Sequence, residues 1–150
     1  MVIGAPGTVG IDEVLGRARS GLRRITALDA ALEVESGRAV LVDIRPAAQR
    51  AAEGEVSPAY RPLVIERNVL EWRFDPRADA RLEIAAFDLR VLVLCQEGYT
   101  SSLAAAALQE LGVVRATDVV GGFAGWRAAG LPTARSGGGA AVPAPRVHPA

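Results

Sequence analysis

Arg90-Val91-Leu92-Val93-Leu94-Cys95-Gln96-Glu97-Gly98-Tyr99-Thr100-Ser101-Ser102-Leu103-Ala104-Ala105-Ala106-Ala107-Leu108 joins an apolar run, a cysteine, a short polar loop and an alanine-rich segment. Four consecutive valines and leucines bounded by polar residues read as a strand buried on both faces, and the alanine-rich segment reads as a helix. Cys95 then stands where the strand gives way to the helix, among backbone N–H groups that lack intrahelical partners and at the positive end of the peptide dipoles. Both features favour a thiolate over a thiol, so the pattern points to a reactive sulfur. Gly98 permits a positive φ in the curl of the loop. The N–H groups from Gln96 to Ser101 are expected to form an anion-holding nest open to solvent, and Thr100 and Ser101 add hydroxyls that either line it or cap the helix.

Outward from this segment, Ala39-Val40-Leu41-Val42-Asp43 repeats the buried-strand design, and Leu63-Val64-Ile65 and Asp118-Val119-Val120 are shorter strand candidates. Helical patterns separate them, which argues for a parallel sheet with helices packed on it. Ligands in such folds sit at the carboxyl ends of the strands, where Asp43 and Cys95 both fall, so the two are expected to be neighbours. Upstream, Ile11-Asp12-Glu13-Val14-Leu15 has helical spacing and an acidic first turn. Thr26-Ala27-Leu28-Asp29 resembles a capping box, with Leu28, Ala31, Leu32 and Val34 as the apolar residues behind it and Gly37 as a stop. Phe123 and Trp126, after Gly121-Gly122, read as packing residues that seat a last helix.

The organisation expected is a flexible N-terminus over residues 1–10, one globular domain over 11–134, and a disordered Gly/Ala/Pro-rich tail over 135–150 that contains the sole histidine, His148. Seventeen basic and seventeen acidic residues cancel without forming blocks, so neither nucleic acid nor a membrane surface is expected as a partner. Every basic residue is arginine, which removes lysine Schiff-base and general-base chemistry. One cysteine allows no internal disulfide and fits a reducing compartment, and no export signal or membrane span is read, so the expected location is cytoplasmic. One cysteine and one remote histidine cannot make a zinc site; no metal and no cofactor are expected. The thiolate has to form without an imidazole base.

Three motifs in order, Leu41-Val42-Asp43-Ile44-Arg45, Cys95 through Ser101, and Val119-Val120-Gly121-Gly122-Phe123-Ala124-Gly125-Trp126-Arg127-Ala128-Ala129-Gly130-Leu131-Pro132, resemble those of single-domain rhodanese-like sulfurtransferases, over roughly Ile25 to Thr133. The resemblance implies a three-layer α/β fold with a central, mostly parallel sheet flanked by helices. It also implies that Cys95 is catalytic, taking a sulfane sulfur from thiosulfate or another persulfide donor. The persulfide so formed passes its sulfur to a thiol, to cyanide or to a protein acceptor. Gln96, Glu97, Gly98, Tyr99, Thr100 and Ser101 become the loop that binds the transferred group.

Cysteine phosphatases of related architecture carry an arginine six positions after the nucleophile, where this chain has Ser101, so phosphate esters are disfavoured. Gln96 and Glu97 replace the basic residues that thiosulfate-preferring members often carry there, and a carboxylate repels a dianion. The segment Gly54-Glu55-Val56-Ser57-Pro58-Ala59-Tyr60-Arg61-Pro62 is longer than the family's Gly-His-Ile-Pro-Gly-Ala pattern and lacks its histidine. The balancing cation is expected from Arg67, or from Arg73; the competing reading is a solvated strip paired with Glu66, Glu71 and Asp75. Asp43 and Arg45 read as a structural pair. A reading of another class is a catalytically weak module that binds a partner or senses oxidants through Cys95.

Overall fold

The computed structural model describes residues 2–135. The tail expected to be disordered, with His148, lies from 136 onward outside the described residues. Residues 2–10 are exposed and carry no helix or strand.

The central sheet has four parallel strands in the order β3 (Leu63–Val64), β1 (Val40–Asp43), β4 (Val91–Leu94), β5 (Thr117–Asp118). An isolated parallel bridge between Ile25 and Val119 extends it by one further segment. β1 and β4 pair over their full lengths, from Val40 with Val91 to Asp43 with Leu94. All four residues of β4 are fully buried, because helices cover both faces of the sheet. Alternation along β1 and β4 divides the core: Val42, Val91 and Val93 face one apolar cluster with Ala104, Ala105, Leu108, Leu70 and Phe74, while Leu41, Leu92 and Leu94 face another with Ala30, Ala31, Phe123 and Trp126.

The helices are α1 (Ile11–Ser20), α2 (Ala27–Glu35), α3 (Ala47–Glu53), α4 (Leu70–Phe74), α5 (Thr100–Glu110) and α6 (Gly122–Ala128). Thr26 is the N-cap of α2 and its hydroxyl accepts from the Asp29 N–H at 3.2 Å, as the capping signal implies. The stripe α2 presents to the core differs from the one expected. Ala27, Ala30 and Ala31 are buried, whereas Leu28 and Leu32 are 56% and 58% exposed. Alanines at i, i+3 and i+4 let the helix backbone lie close to the sheet, and the two leucines fall one step round the helix from that line.

The segment that departs from the family pattern makes β2 (Glu55–Val56) and a 3-10 turn over Pro58–Tyr60, with Arg61 in the left-handed region at φ 49°. β2 pairs antiparallel with β6 (Thr133–Ala134), a two-stranded ribbon that no hydrophobic run advertises because it is only two residues long on each side. Phe123 and Trp126 are fully buried and do seat α6; the Trp126 indole N–H donates to Pro132 O at 2.9 Å and Tyr60 meets the Trp126 ring edge-on at 4.9 Å.

Candidate active site

β4 ends at Leu94 and α5 begins at Thr100, so Cys95 through Tyr99 forms the turn between them at the carboxyl end of the sheet. The helix begins three residues before the apolar segment does. Thr100, Ser101 and Ser102 form its first turn, where N–H groups have no helical acceptor and short polar side chains cost little. One of those N–H groups, that of Ser101, donates to Cys95 Sγ at 3.4 Å, and Gly98 N–H donates to the same sulfur at 3.2 Å. The nest therefore exists, with two amides on the sulfur. It is not open in the way expected: Cys95 is only 4% exposed and belongs to the apolar cluster beneath the loop. The bend that brings the Ser101 amide to the sulfur also folds the loop over it.

The loop's shape depends on two glycines from different parts of the chain. Gly98 has φ 87°, and a Cβ there would lie 2.8 Å from Gly121 N. Gly122 has φ 58°, and a Cβ there would overlap the Cys95 carbonyl oxygen. That closeness allows Phe123 N–H to donate to Cys95 O at 2.8 Å and Ala124 N–H to Gln96 O at 3.0 Å. The first turn of α6 thus supplies donors to the carbonyls that precede the nest, leaving the loop's own amides free to turn toward the sulfur.

The remaining expected site residues divide between the loop surface and its supports. Gln96 is half-buried and its Oε1 accepts from Arg45 Nη1 at 3.0 Å, which ties it to the base of the loop. Glu97, Tyr99 and Thr100 are exposed. Neither Thr100 nor Ser101 caps α5, whose N-cap is Tyr99 with no side-chain cap bond. Ser101 does not line the bowl with its hydroxyl either: the Oγ donates to buried Asp118 Oδ2 at 2.8 Å. Asp43 and Arg45 form the structural pair expected of them, buried and joined at 2.7–3.2 Å. Arg45 also donates to Gly54 O at 2.8 Å and stacks 4.2 Å over the Phe123 ring. A buried guanidinium shared among Asp43, Gln96, Gly54 and the Phe123 ring fixes the loop base to α6.

The two arginines expected to supply the cation are hydrogen-bonded to other groups. Arg73 is turned toward the Ala80 carbonyl, its Nε is buried without a partner, and burial pulls its pKa down. Arg67 lies in the 3-10 turn Arg67–Val69 after β3, at the same end of the sheet as Cys95, with its guanidinium on Glu71 at 2.6 Å. Pairing with Glu71 is the solvated-strip arrangement. Besides Arg45, the guanidinium groups that reach the loop belong to Arg19 and Arg24, which donate to Gly98 O at 2.7 and 2.9 Å. Neither has a periodicity signature. The available signal was register, since Arg24 and Asp118 each precede one member of the Ile25–Val119 pair and meet as a bidentate ion pair at 3.0 and 3.2 Å.

A parallel α/β sheet whose central strand delivers a cysteine into an amide-lined turn before a helix defines a class of cysteine-loop domains. Within that class, the Rhodanese-like domain family model matches residues 26–129, and the chain belongs to that family. It is 31% identical over 99 residues, 66% of this chain and 78% of the relative, to the thiosulfate sulfurtransferase GlpE of Actinobacillus succinogenes. A Rhodopseudomonas palustris structure described as a possible tyrosine phosphatase is similar at TM-score 0.74 and 32% identity, with 87% of this chain and 99% of that one covered. The human single-domain sulfurtransferase TSTD1 shares the fold at TM-score 0.58 and 22% identity, over 70% of this chain and 95% of its own.

Proposed function

We propose that the protein is a sulfurtransferase in which Cys95 carries the transferred sulfur as a persulfide. The observation that carries this reading is the pair of amides on Sγ, from Gly98 and Ser101, in a turn with no imidazole among the described residues. The Cys95 thiolate attacks the outer sulfur of a donor. With thiosulfate, the donor's S–S bond breaks, sulfite leaves with the electron pair, and Cys95 becomes a persulfide. An acceptor thiolate or cyanide then attacks the terminal sulfur, takes it, and returns Cys95 to a thiolate. Amides aimed at the sulfur stabilise negative charge on it at both stages and need no reorganisation.

Two features bear on the donor. The near-closure of the loop over Cys95 suits one added sulfur atom better than a tetrahedral phosphate. Exposed Glu97 at the rim disfavours a dianion and favours a less charged persulfide as the physiological donor. The likeness to a possible tyrosine phosphatase brings no phosphate grip with it. Position 101 is serine, and its hydroxyl faces Asp118. The acceptor is a small thiol or a partner protein, and the location that fits a reactive, unpaired cysteine is the cytoplasm.

Intact-protein mass spectrometry after incubation with thiosulfate and with an organic persulfide tests the reading. Gain of one sulfur atom is expected, removable by cyanide and absent in Cys95→Ser. A folded protein that takes no sulfur from either donor would instead support the binding or oxidant-sensing module.

A further inference from the structure

Beneath the loop lies a polar cluster that the transfer chemistry above does not use. Asp118, Ser101 and Ser102 are fully buried, and Asp118 Oδ2 accepts from both hydroxyls at 2.8 Å and from Arg24 Nη2 at 3.2 Å. Arg24 Nε takes Oδ1 at 3.0 Å. Arg19, near the end of α1, donates from Nε to Ser102 Oγ at 3.0 Å, and its guanidinium carbon sits 5.7 Å from the Tyr99 ring centroid. Both arginines converge on a single acceptor, the Gly98 carbonyl. Helix α1 and Arg24 lie ahead of residue 26, where the family match begins.

Two guanidinium groups on one carbonyl fix the orientation of the Gly98–Tyr99 peptide. That peptide is trans, so its N–H points opposite to its C=O. Charge-assisted bonds at the oxygen also polarise the peptide and make its N–H a stronger donor. Arg24 is balanced by Asp118, but among the described residues Arg19 meets a hydroxyl, a carbonyl and the Tyr99 ring and no carboxylate, so one positive charge in this cluster is left over.

We infer that Arg19 and Arg24 are positioning residues for sulfur transfer: they clamp Gly98 O so that the Tyr99 N–H turns into the bowl, and Arg19 supplies the positive potential that an anionic sulfur in the bowl needs. The inference rests on the sulfurtransferase reading for its substrate, but the clamp itself concerns how the loop treats any anion at Cys95. It assigns to the N-terminal helix a part in the active site, acting through the peptide and not by contact with the donor.

Arg19→Gln is the informative variant, because Arg19 has no carboxylate partner among the described residues and its removal leaves no buried charge unpaired there. Arg24→Gln is made together with Asp118→Asn for the same reason. Two readouts are taken on each folded variant. The first is the rate of sulfur loading onto Cys95 from thiosulfate, followed by mass spectrometry. The second is the ratio of Cys95 alkylation rates by iodoacetate and iodoacetamide, which are similar in size and differ in charge. Arg19→Gln should slow loading about tenfold, less than the loss of a donor touching the reacting group. It should also lower the iodoacetate to iodoacetamide ratio. Arg19→Lys should restore the ratio while restoring the rate only in part, since it keeps the charge and loses the second donor. A purely structural role would slow both reagents alike. An unchanged ratio and unchanged loading in folded Arg19→Gln overturn the inference. If wild-type protein loads no sulfur while the ratio still falls in the variant, the sulfurtransferase reading fails and the clamp stands.

Discussion

Two glycines on the same chain predict opposite responses to the same substitution, and the difference lies in what a methyl group would meet. At Gly122, φ is 58° and a Cβ would overlap Cys95 O and approach the Gln96 carbonyl carbon to 2.8 Å. Gly122→Ala must therefore move the turn that carries the nucleophile, and it should cost at least about 1–3 kcal/mol and most of the sulfur loading by Cys95. Gly16 sits inside α1, has no positive φ, and a Cβ there meets nothing within 4 Å. Gly16→Ala should stabilise by about 0.5–1 kcal/mol, through helix propensity alone. Urea titrations of both variants check the pair; a neutral Gly122→Ala would mean that the close packing of α6 on the loop is not a constraint. At this scale the sequence was legible where one residue type has one physical use. Cys95 after a buried strand and Gly98 in the curl were both readable. The Ser101 hydroxyl was not, because its direction depends on Asp118, seventeen residues away on strand β5.

The elements were readable in proportion to their length and periodicity. β1 and β4, four residues each and apolar throughout, declared both themselves and their parallel pairing. The ribbon of β2 with β6 did not, because two residues per strand carry no alternation and their pairing is set by where α3 and α6 end. α6 shows how a short element is held by what it buries. Its seven residues cannot persist as an isolated helix, and its stability comes from Phe123 and Trp126 against the sheet. Trp126 contributes both apolar area and the bond from its indole N–H to Pro132 O, which leads the chain into β6. Trp126→Ala should destabilise by about 3–5 kcal/mol, and Trp126→Phe by markedly less, because the phenyl ring keeps most of the packing while losing the bond and part of the buried volume. Thermal unfolding of the two variants separates the contributions; equal losses would show that the indole bond outweighs the packing. Since α6 also donates to Cys95 O and Gln96 O, Trp126→Ala should slow sulfur loading without any change at the loop itself.

Across the whole molecule the charged residues sort by which end of the sheet they serve. At the carboxyl end, Arg19, Arg24 and Arg45 hold the cysteine loop. At the amino end, Arg90, just before β4, pairs with Glu33 of α2 at 3.1 Å and donates to Arg115 O at 2.9 Å, tying helix, strand and the approach to β5 together away from the chemistry. The bond from Arg90, with added attraction from Arg90, Arg38 and Arg115, outweighs the effect of burial and holds the Glu33 carboxyl below its ordinary pKa. A depressed carboxylate pKa means that the unfolded chain binds the proton first as pH falls. The stabilisation is therefore fully present above the ordinary glutamate pKa and is lost as the pH drops through the folded value. On the alkaline side the sign reverses: the Tyr60 hydroxyl donates to Glu35 at 2.7 Å, which raises its pKa, so that contribution is present below the ordinary tyrosine value and is lost as pH climbs through the folded one. Glu33→Gln should remove up to about 1 kcal/mol at pH 7, since the pair is only partly buried. The gap from wild type should begin to narrow as the pH falls past the ordinary glutamate value and close only below the depressed folded value, where both chains carry a neutral group. Because the pair lies at the opposite end of β4 from Cys95, the rate of sulfur loading at pH 7 should not move. Urea denaturation at pH 7 and at pH 3.5, with loading measured alongside, checks this. A stability gap that persists undiminished at the lower pH would show that Glu33 acts through packing and not through its charge, and a fall in loading would mean that the two ends of the sheet are coupled through β4.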